Sequence, residues 1–72
     1  IQVNAIAPGF VKTHFSEAIW SDEAIYEMVI ARTPAGRMAA PNELTGTALY
    51  LASAASDFMM GQILVVDGGL TL

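Results

Sequence analysis

Apolar residues fall along this chain in distinct rhythms, and the changes of rhythm divide it into elements. Ile1 to Ala7 alternates large and small apolar residues around Gln2 and Asn4, the pattern of a strand covered on both faces. The strand breaks at Pro8-Gly9, because proline cannot donate to a sheet ladder and glycine admits unusual dihedrals or close approach of a ligand. Phe10 to Trp20 has no sustained period and reads as a loop leading into a short helical segment. Ile25, Met28, Val29 and Arg32 then recur at helical spacing, which predicts a helix from about Asp22 to Arg32. Ser21 is the expected N-cap, with Asp22 and Glu23 where the helix dipole favours negative charge. The apolar stripe of this helix either packs on a core or forms a lid over a pocket.

Thr33-Pro34-Ala35-Gly36-Arg37 is a turn, since Pro34 disfavours helix in the residue before it and Gly36 relaxes the chain. A second helix is expected to start at Pro41, with Glu43 in its first turn. Leu44, Ala48, Leu51 and Ala55, widened by Ala52, form its apolar stripe. Gly46 within it marks either close packing against a neighbour or a tolerated surface glycine. Gln62 to Val66 is a β-branched, apolar run and reads as a buried strand closed by Asp67-Gly68-Gly69. The order strand, loop, two helices, strand is α/β, and two such strands in one sheet are expected to be parallel. Ligands of open parallel sheets sit outside the carboxyl ends of the strands, so a site is expected at Pro8-Gly9.

Composition changes this picture in one respect. With 54% hydrophobic and only 14% charged residues in 72, the chain is more apolar than so small a body readily hides. Much of its surface is therefore expected to lie against missing chain or a partner subunit. The first residue, Ile1, already lies inside an apparent strand, so the chain is expected to be the C-terminal part of a longer protein.

A net charge of −4 argues against a nucleic-acid or anionic-membrane surface. No apolar run reaches the roughly 18 residues of a membrane span. Cysteine is absent and His14 is the lone histidine, so no disulfide and no metal site is expected. A cytoplasmic location is the default expectation.

A self-contained active site is not legible. With His14 the only histidine and no nucleophile elbow, no Ser-His-Asp arrangement can be argued. No glycine-rich phosphate loop is present, because Gly61, Gly68 and Gly69 lack its spacing and do not link a first strand to a helix.

The run Asn4-Ala5-Ile6-Ala7-Pro8-Gly9-Phe10-Val11-Lys12-Thr13 resembles the segment after the sixth strand of the short-chain dehydrogenase/reductase family. The resemblance continues through Arg37, Pro41 and Glu43, through Gly61-Gln62, and into Val65-Val66-Asp67-Gly68-Gly69. It implies that residues 1–72 are the C-terminal part of a single NAD(P)-binding domain, a Rossmann-type doubly wound parallel sheet. The parent activity it implies is hydride transfer between an alcohol and a ketone or aldehyde with NAD or NADP. In that family a Tyr with a Lys four residues on moves the proton, helped by an upstream Ser and Asn. Here Tyr26 is followed by Ile30 and Tyr50 by Ala54, so no catalytic residue is expected in this chain and the chain alone is expected to be inactive. The alternative is a non-catalytic interaction or oligomerisation fragment.

By position, the resemblance places Pro8 and Gly9 against the nicotinamide end of the cofactor. It gives Val11 a main-chain hydrogen bond to the carboxamide, and gives Thr13 a hydroxyl reaching the carboxamide or pyrophosphate. His14, Phe15 and Trp20 fall in the variable substrate loop, where aromatic rings imply an apolar pocket suited to an aliphatic or aromatic carbonyl compound. Lys12 to Ser16 with Trp20 looks most like the carbonyl- and retinal-reductase branch. Arg37 and Glu43 are expected to form a structural ion pair. The last helix and strand imply a subunit interface in a dimer or tetramer.

Overall fold

The computed structural model describes residues 1–72. Strand β1 spans Ala5–Pro8 and pairs in parallel with β2, Ile63–Val66, in the register Ala5 with Ile63 through Pro8 with Val66. Between them lie α1 (Glu17–Trp20), α2 (Glu23–Arg32), α3 (Asn42–Ala52) and a single 3-10 turn at Ala54–Ser56. The α/β order and the parallel pairing expected from the sequence are both present.

Pro8 is tolerated inside the ladder for a geometric reason. The N–H groups of Ala5 and Gly9 donate to Gln62 and Val66 carbonyls at 2.8 and 3.1 Å, so alternate residues from Ala5 face β2 and the Pro8 nitrogen points away. The missing donor therefore costs this ladder nothing. The strand is shorter at its start than the Ile1–Ala7 pattern implies. Gln2 and Asn4 spend their amides on the loop before β2 instead: Gln2 Nε2 donates to the Ser56 and Met59 carbonyls, and Asn4 Nδ2 to Met59 O at 3.1 Å. Asn4 Oδ1 accepts from Gln62 N–H at 2.9 Å, so a side chain takes the N–H of the residue before β2 while its carbonyl accepts from Ala5 N–H.

Helix α2 begins one residue later than expected and with a different cap. Asp22, in extended conformation, accepts at Oδ1 from Ala24 and Ile25 N–H at 3.0 and 3.2 Å. Ser21 instead closes α1, its N–H donating to Glu17 O. The carboxylate next to the first helical turn outcompetes the hydroxyl one residue before it. Thr33 ends α2 in extended conformation, as the residue before proline requires, and its buried hydroxyl donates to Val29 O at 3.0 Å.

The inward face of α2 is Tyr26, Val29, Ile30 and Thr33, whereas Ile25 and Met28 remain 39% and 57% exposed. On α3 the more covered positions are Leu44, Thr47 and Leu51; Ala48, Ala52 and Ala55 of the expected stripe are exposed. Pro41 has helical dihedrals at the start of α3, as its fixed φ favours.

Val29 and Met38 are the buried hydrophobic residues, and Leu49, Tyr50, Ile63 and Val65 are exposed. The radius of gyration is 14.1 Å, against about 11 Å for a compact chain of this length. The accessible surface is 5220 Å², where a compact protein of this mass has about 4,300 Å². The core is thus far smaller than the apolar content of the chain. No helix is long and apolar enough to cross a membrane.

Candidate functional site

The carboxyl ends of β1 and β2 lie side by side and open on a small cavity of 110 Å³ whose lining includes Gly9, Phe10, Arg37, Glu43, Val66 and Asp67. Gly9 is required here by space. A Cβ on it would lie 2.7 Å from Asp67 Cα and 2.9 Å from Asp67 Cβ, nearer than real atoms approach. The glycines after β2 are required by both space and dihedral. Gly68 and Gly69 have φ of +64° and +94°, and Cβ atoms on them would meet Thr33, Ala35 and Pro34 side chains at 2.9–3.1 Å. The turn after β2 is thereby packed against the turn after α2, and Ala35 N–H donates to Gly68 O at 2.9 Å.

Asp67 ties this turn together. Its Oδ1 accepts from Gly69 N–H at 2.9 Å, and its Oδ2 accepts from the Thr71 N–H and hydroxyl at 3.0 and 2.6 Å. The Thr71 hydroxyl above all, with the two backbone donors, holds the Asp67 carboxyl below the usual carboxylate range, against a smaller opposing effect of desolvation.

Across the cavity Arg37 forms a fork on Glu43, with Nη1–Oε1 and Nη2–Oε2 at 2.6 and 2.8 Å. Glu43 Oε1 also accepts Ala40 N–H at 3.0 Å. The hydrogen bond from Arg37, helped by Ala40 N–H, lowers the Glu43 pKa to about 2. The ion pair expected from the sequence is present and ties the 33–39 turn to the first turn of α3.

Beyond Gly9 the chain runs beside Ala39: Ala39 N–H donates to Phe10 O at 2.9 Å, and Lys12 N–H to Ala39 O at 2.8 Å. Val11 between them faces the other way. Its carbonyl accepts the Ser16 hydroxyl at 2.7 Å, while its N–H donates to no acceptor in the chain. Thr13 and Ser16 cap one another. Thr13 N–H donates to Ser16 Oγ at 2.9 Å, and Ser16 N–H to Thr13 Oγ1 at 3.2 Å. The exchange has the reciprocal form of a capping box but lies in the turn before α1, whose N-cap is Ser16. The indole of Trp20 donates to Thr13 O at 2.7 Å, and Lys12 Nζ sits 4.8 Å from the centre of the Trp20 ring.

The structure brings Pro8, Gly9, Val11 and Thr13 into one continuous segment at the strand end. His14 and Phe15 instead stand in solvent: the His14 side chain is 98% exposed and lies 3.3 Å from Glu17, and Phe15 is fully exposed. Trp20 is half-buried against the loop. Two further residues of the site, Ser16 and Asp67, are not marked as such by the sequence. The spacing Thr13-x-x-Ser16 is the signal that could reveal the first. A second, apolar cavity of 290 Å³ lies on the other side of Phe10, between Met28, Val29, Arg32 and Leu70. No group of His, Asp and Glu side chains is placed to hold a metal ion.

Comparison with known proteins agrees with this architecture. Residues 1–71 match a family model described as enoyl-(acyl carrier protein) reductase. The 5-keto-D-gluconate 5-reductase of Escherichia coli (strain K12) is 51% identical over 70 residues, which are 97% of this chain and 28% of that protein. The crystal structure of a gluconate 5-dehydrogenase from Burkholderia cenocepacia J2315, in complex with NADP and tartrate, superposes with a TM-score of 0.93 at 52% identity, covering 99% of this chain and 28% of that one. A short-chain type dehydrogenase/reductase from Mycobacterium marinum has a TM-score of 0.85 at 46% identity, covering 99% and 27% of the two chains. The chain therefore spans little more than a quarter of the length of these relatives. The first two are named for gluconate and keto-gluconate, not for the carbonyl- and retinal-reductase activities that the loop after Val11 resembles. With its parallel strand pair, its glycine-bounded strand ends and its match over almost every residue, the chain belongs to the short-chain dehydrogenase/reductase family.

Proposed function

We propose that these residues are the C-terminal part of an NAD(P)-dependent oxidoreductase that interconverts a secondary alcohol and a ketone, with a polyhydroxy acid of the gluconate type as substrate. Within the chain, the observation that carries this reading is the Val11 N–H. It is the one backbone donor of Val11–Thr13 left without an acceptor, and it lies just beyond the carboxyl end of a parallel strand. A planar carboxamide is matched by such a donor, and holding it selects which face of the nicotinamide is presented. Gly9, with no side chain, lets the Asp67 backbone close against the end of β1, so the two strand ends form one wall of the site. The Thr13 hydroxyl supplies a second polar contact, and His14, Phe15 and Trp20 belong to the loop beside the substrate.

When bound, NAD or NADP supplies or accepts the hydride. This chain's residues bind and orient the cofactor, and the proton-transferring groups belong to the part of the protein before Ile1. The exposed Leu49, Tyr50, Ile63 and Val65 fit against that part or against a second subunit of a homo-oligomer. The excess of about 900 Å² over a compact surface has the same explanation.

The test is an assay of the full-length protein with NADP or NAD and gluconate, and in reverse with NADPH or NADH and 5-keto-gluconate, followed by dihydronicotinamide absorbance. Saturable turnover is expected. Failure to bind either dinucleotide would leave the interaction-fragment reading in its place.

A further inference from the structure

We propose that Ser16 and Trp20 are positioning residues that lock the Val11–Thr13 backbone, so that the Val11 N–H remains its single uncommitted amide donor for the nicotinamide carboxamide. The inference rests on the reading of Val11 and Thr13 given above and adds the residues that make it work.

The other backbone polar groups on the same side, the Val11 and Thr13 carbonyls and the Thr13 N–H, are already engaged. Ser16 Oγ carries one proton and spends it on the Val11 carbonyl at 2.7 Å. Its lone pair takes the Thr13 N–H at 2.9 Å, so one hydroxyl fixes the peptide units on both sides of Lys12. Trp20 Nε1–H holds the Thr13 carbonyl at 2.7 Å, which fixes the far end of the segment. Lys12 N–H is bound to Ala39 O on the opposite edge. The segment is thus pinned along both edges, and Val11 N–H is not drawn into either set of bonds.

The Thr13 hydroxyl is prepared in the same way. Its oxygen accepts Ser16 N–H at 3.2 Å, and its own proton has only a 3.3 Å contact to Ser16 Oγ, beyond the usual range of O–H···O bonds. That proton is available to a ligand. Donors fixed before binding spare the ligand the entropy of ordering them, and an indole and a serine hydroxyl do so here from outside the contact itself.

The experiment compares full-length protein with Ser16→Ala, Ser16→Thr and Trp20→Phe. It measures the affinity for NADPH and NADH by dihydronicotinamide fluorescence, and for the nicotinamide-free fragments 2′-phospho-ADP-ribose and ADP-ribose by calorimetry. Loss of a cap bond of about 1 kcal/mol corresponds to weakening of about fivefold, expected for Ser16→Ala and Trp20→Phe with the dinucleotides. Affinity for the fragments should not change, and Ser16→Thr should restore dinucleotide binding.

Equal weakening toward dinucleotide and fragment would show a general structural defect and overturn the proposal, as would unchanged dinucleotide binding. Val11→Pro, which deletes the N–H, separates the two levels. If it weakens dinucleotide binding while Ser16→Ala does not, the positioning role alone fails. If neither variant weakens binding, the carboxamide reading of the segment fails with it.

Discussion

Gly9 and Asp67 stand so close across the ends of the two strands that the position at Gly9 has no room for a side chain: a Cβ there would lie 2.7 Å from the Asp67 Cα. The clash is with backbone, which cannot swing aside as a flexible side chain would. Gly9→Ala is therefore expected to lower stability by about 1–3 kcal/mol, the cost of overpacking a tight contact. It should also weaken dinucleotide binding, because relief comes only from parting the strand ends. Thermal unfolding of the full-length variant, with dinucleotide titration, checks both. An unchanged midpoint for Gly9→Ala would contradict the close approach.

The Arg37–Glu43 fork makes an acid-sensitive joint. The Glu43 pKa of about 2 in the folded chain lies below the roughly 4.3 of an unfolded glutamate. A depressed carboxyl contributes stability that is complete above the unfolded value and is lost as pH falls through the folded one. Stability should accordingly decline between about pH 4.5 and pH 2, and less steeply in Glu43→Gln. Both partners are solvent-exposed, so the effect shrinks in high salt. Urea midpoints measured across this range in low and high salt test it; identical slopes for the two proteins would remove Glu43 as the cause.

Asp22 and Ser21 make opposite claims on the start of α2, and the structure assigns the cap to Asp22. Asp22→Ala is expected to cost about 0.5–2 kcal/mol, and Ser21→Ala to stay within about 0.5 kcal/mol, as at an ordinary surface site. Denaturant midpoints of the two variants rank them directly. A larger loss at Ser21 would reverse the assignment.

Residues 1–72 prepared as an isolated chain should show no dinucleotide-dependent turnover with any alcohol or carbonyl pair. Tyr26 and Tyr50 lack a lysine four residues on, and no glycine-rich phosphate loop is present. The exposed apolar surface also predicts self-association, which analytical ultracentrifugation would detect. Saturable turnover by the isolated chain would contradict the assignment of proton transfer to residues before Ile1.

Features governed by neighbours in the chain are legible in the residues themselves. The extended Thr33 before Pro34, the start of α3 at Pro41 and the β-branched run of β2 each follow from backbone sterics of the residue concerned or the next one, whereas the break expected at Pro8 is displaced because the Pro8 nitrogen points away from β2 and the ladder runs on to Gly9. The Arg37–Glu43 pair is legible too, through the family resemblance. The choice of Asp22 over Ser21 is not, because both residue types cap helices and the end of α1 settles which is free to do so. Nor are the inward faces of α2 and α3: the periodicity shows that a stripe exists, whereas Thr47 and Tyr26 lie inward because of what each helix packs against.

At the site the same division holds. The amino-acid order alone specifies a strand end with a proline, a glycine and a hydroxyl-bearing loop, and it places no Lys four residues after Tyr26 or Tyr50. That Gly9 is required by Asp67, that Val11 keeps a free N–H, and that Trp20 reaches back to the Thr13 carbonyl follow only from the folded chain. A donor's partner and a glycine's neighbour are set by distance in space, and that distance exists only once the two strands are paired and the loop has closed on itself.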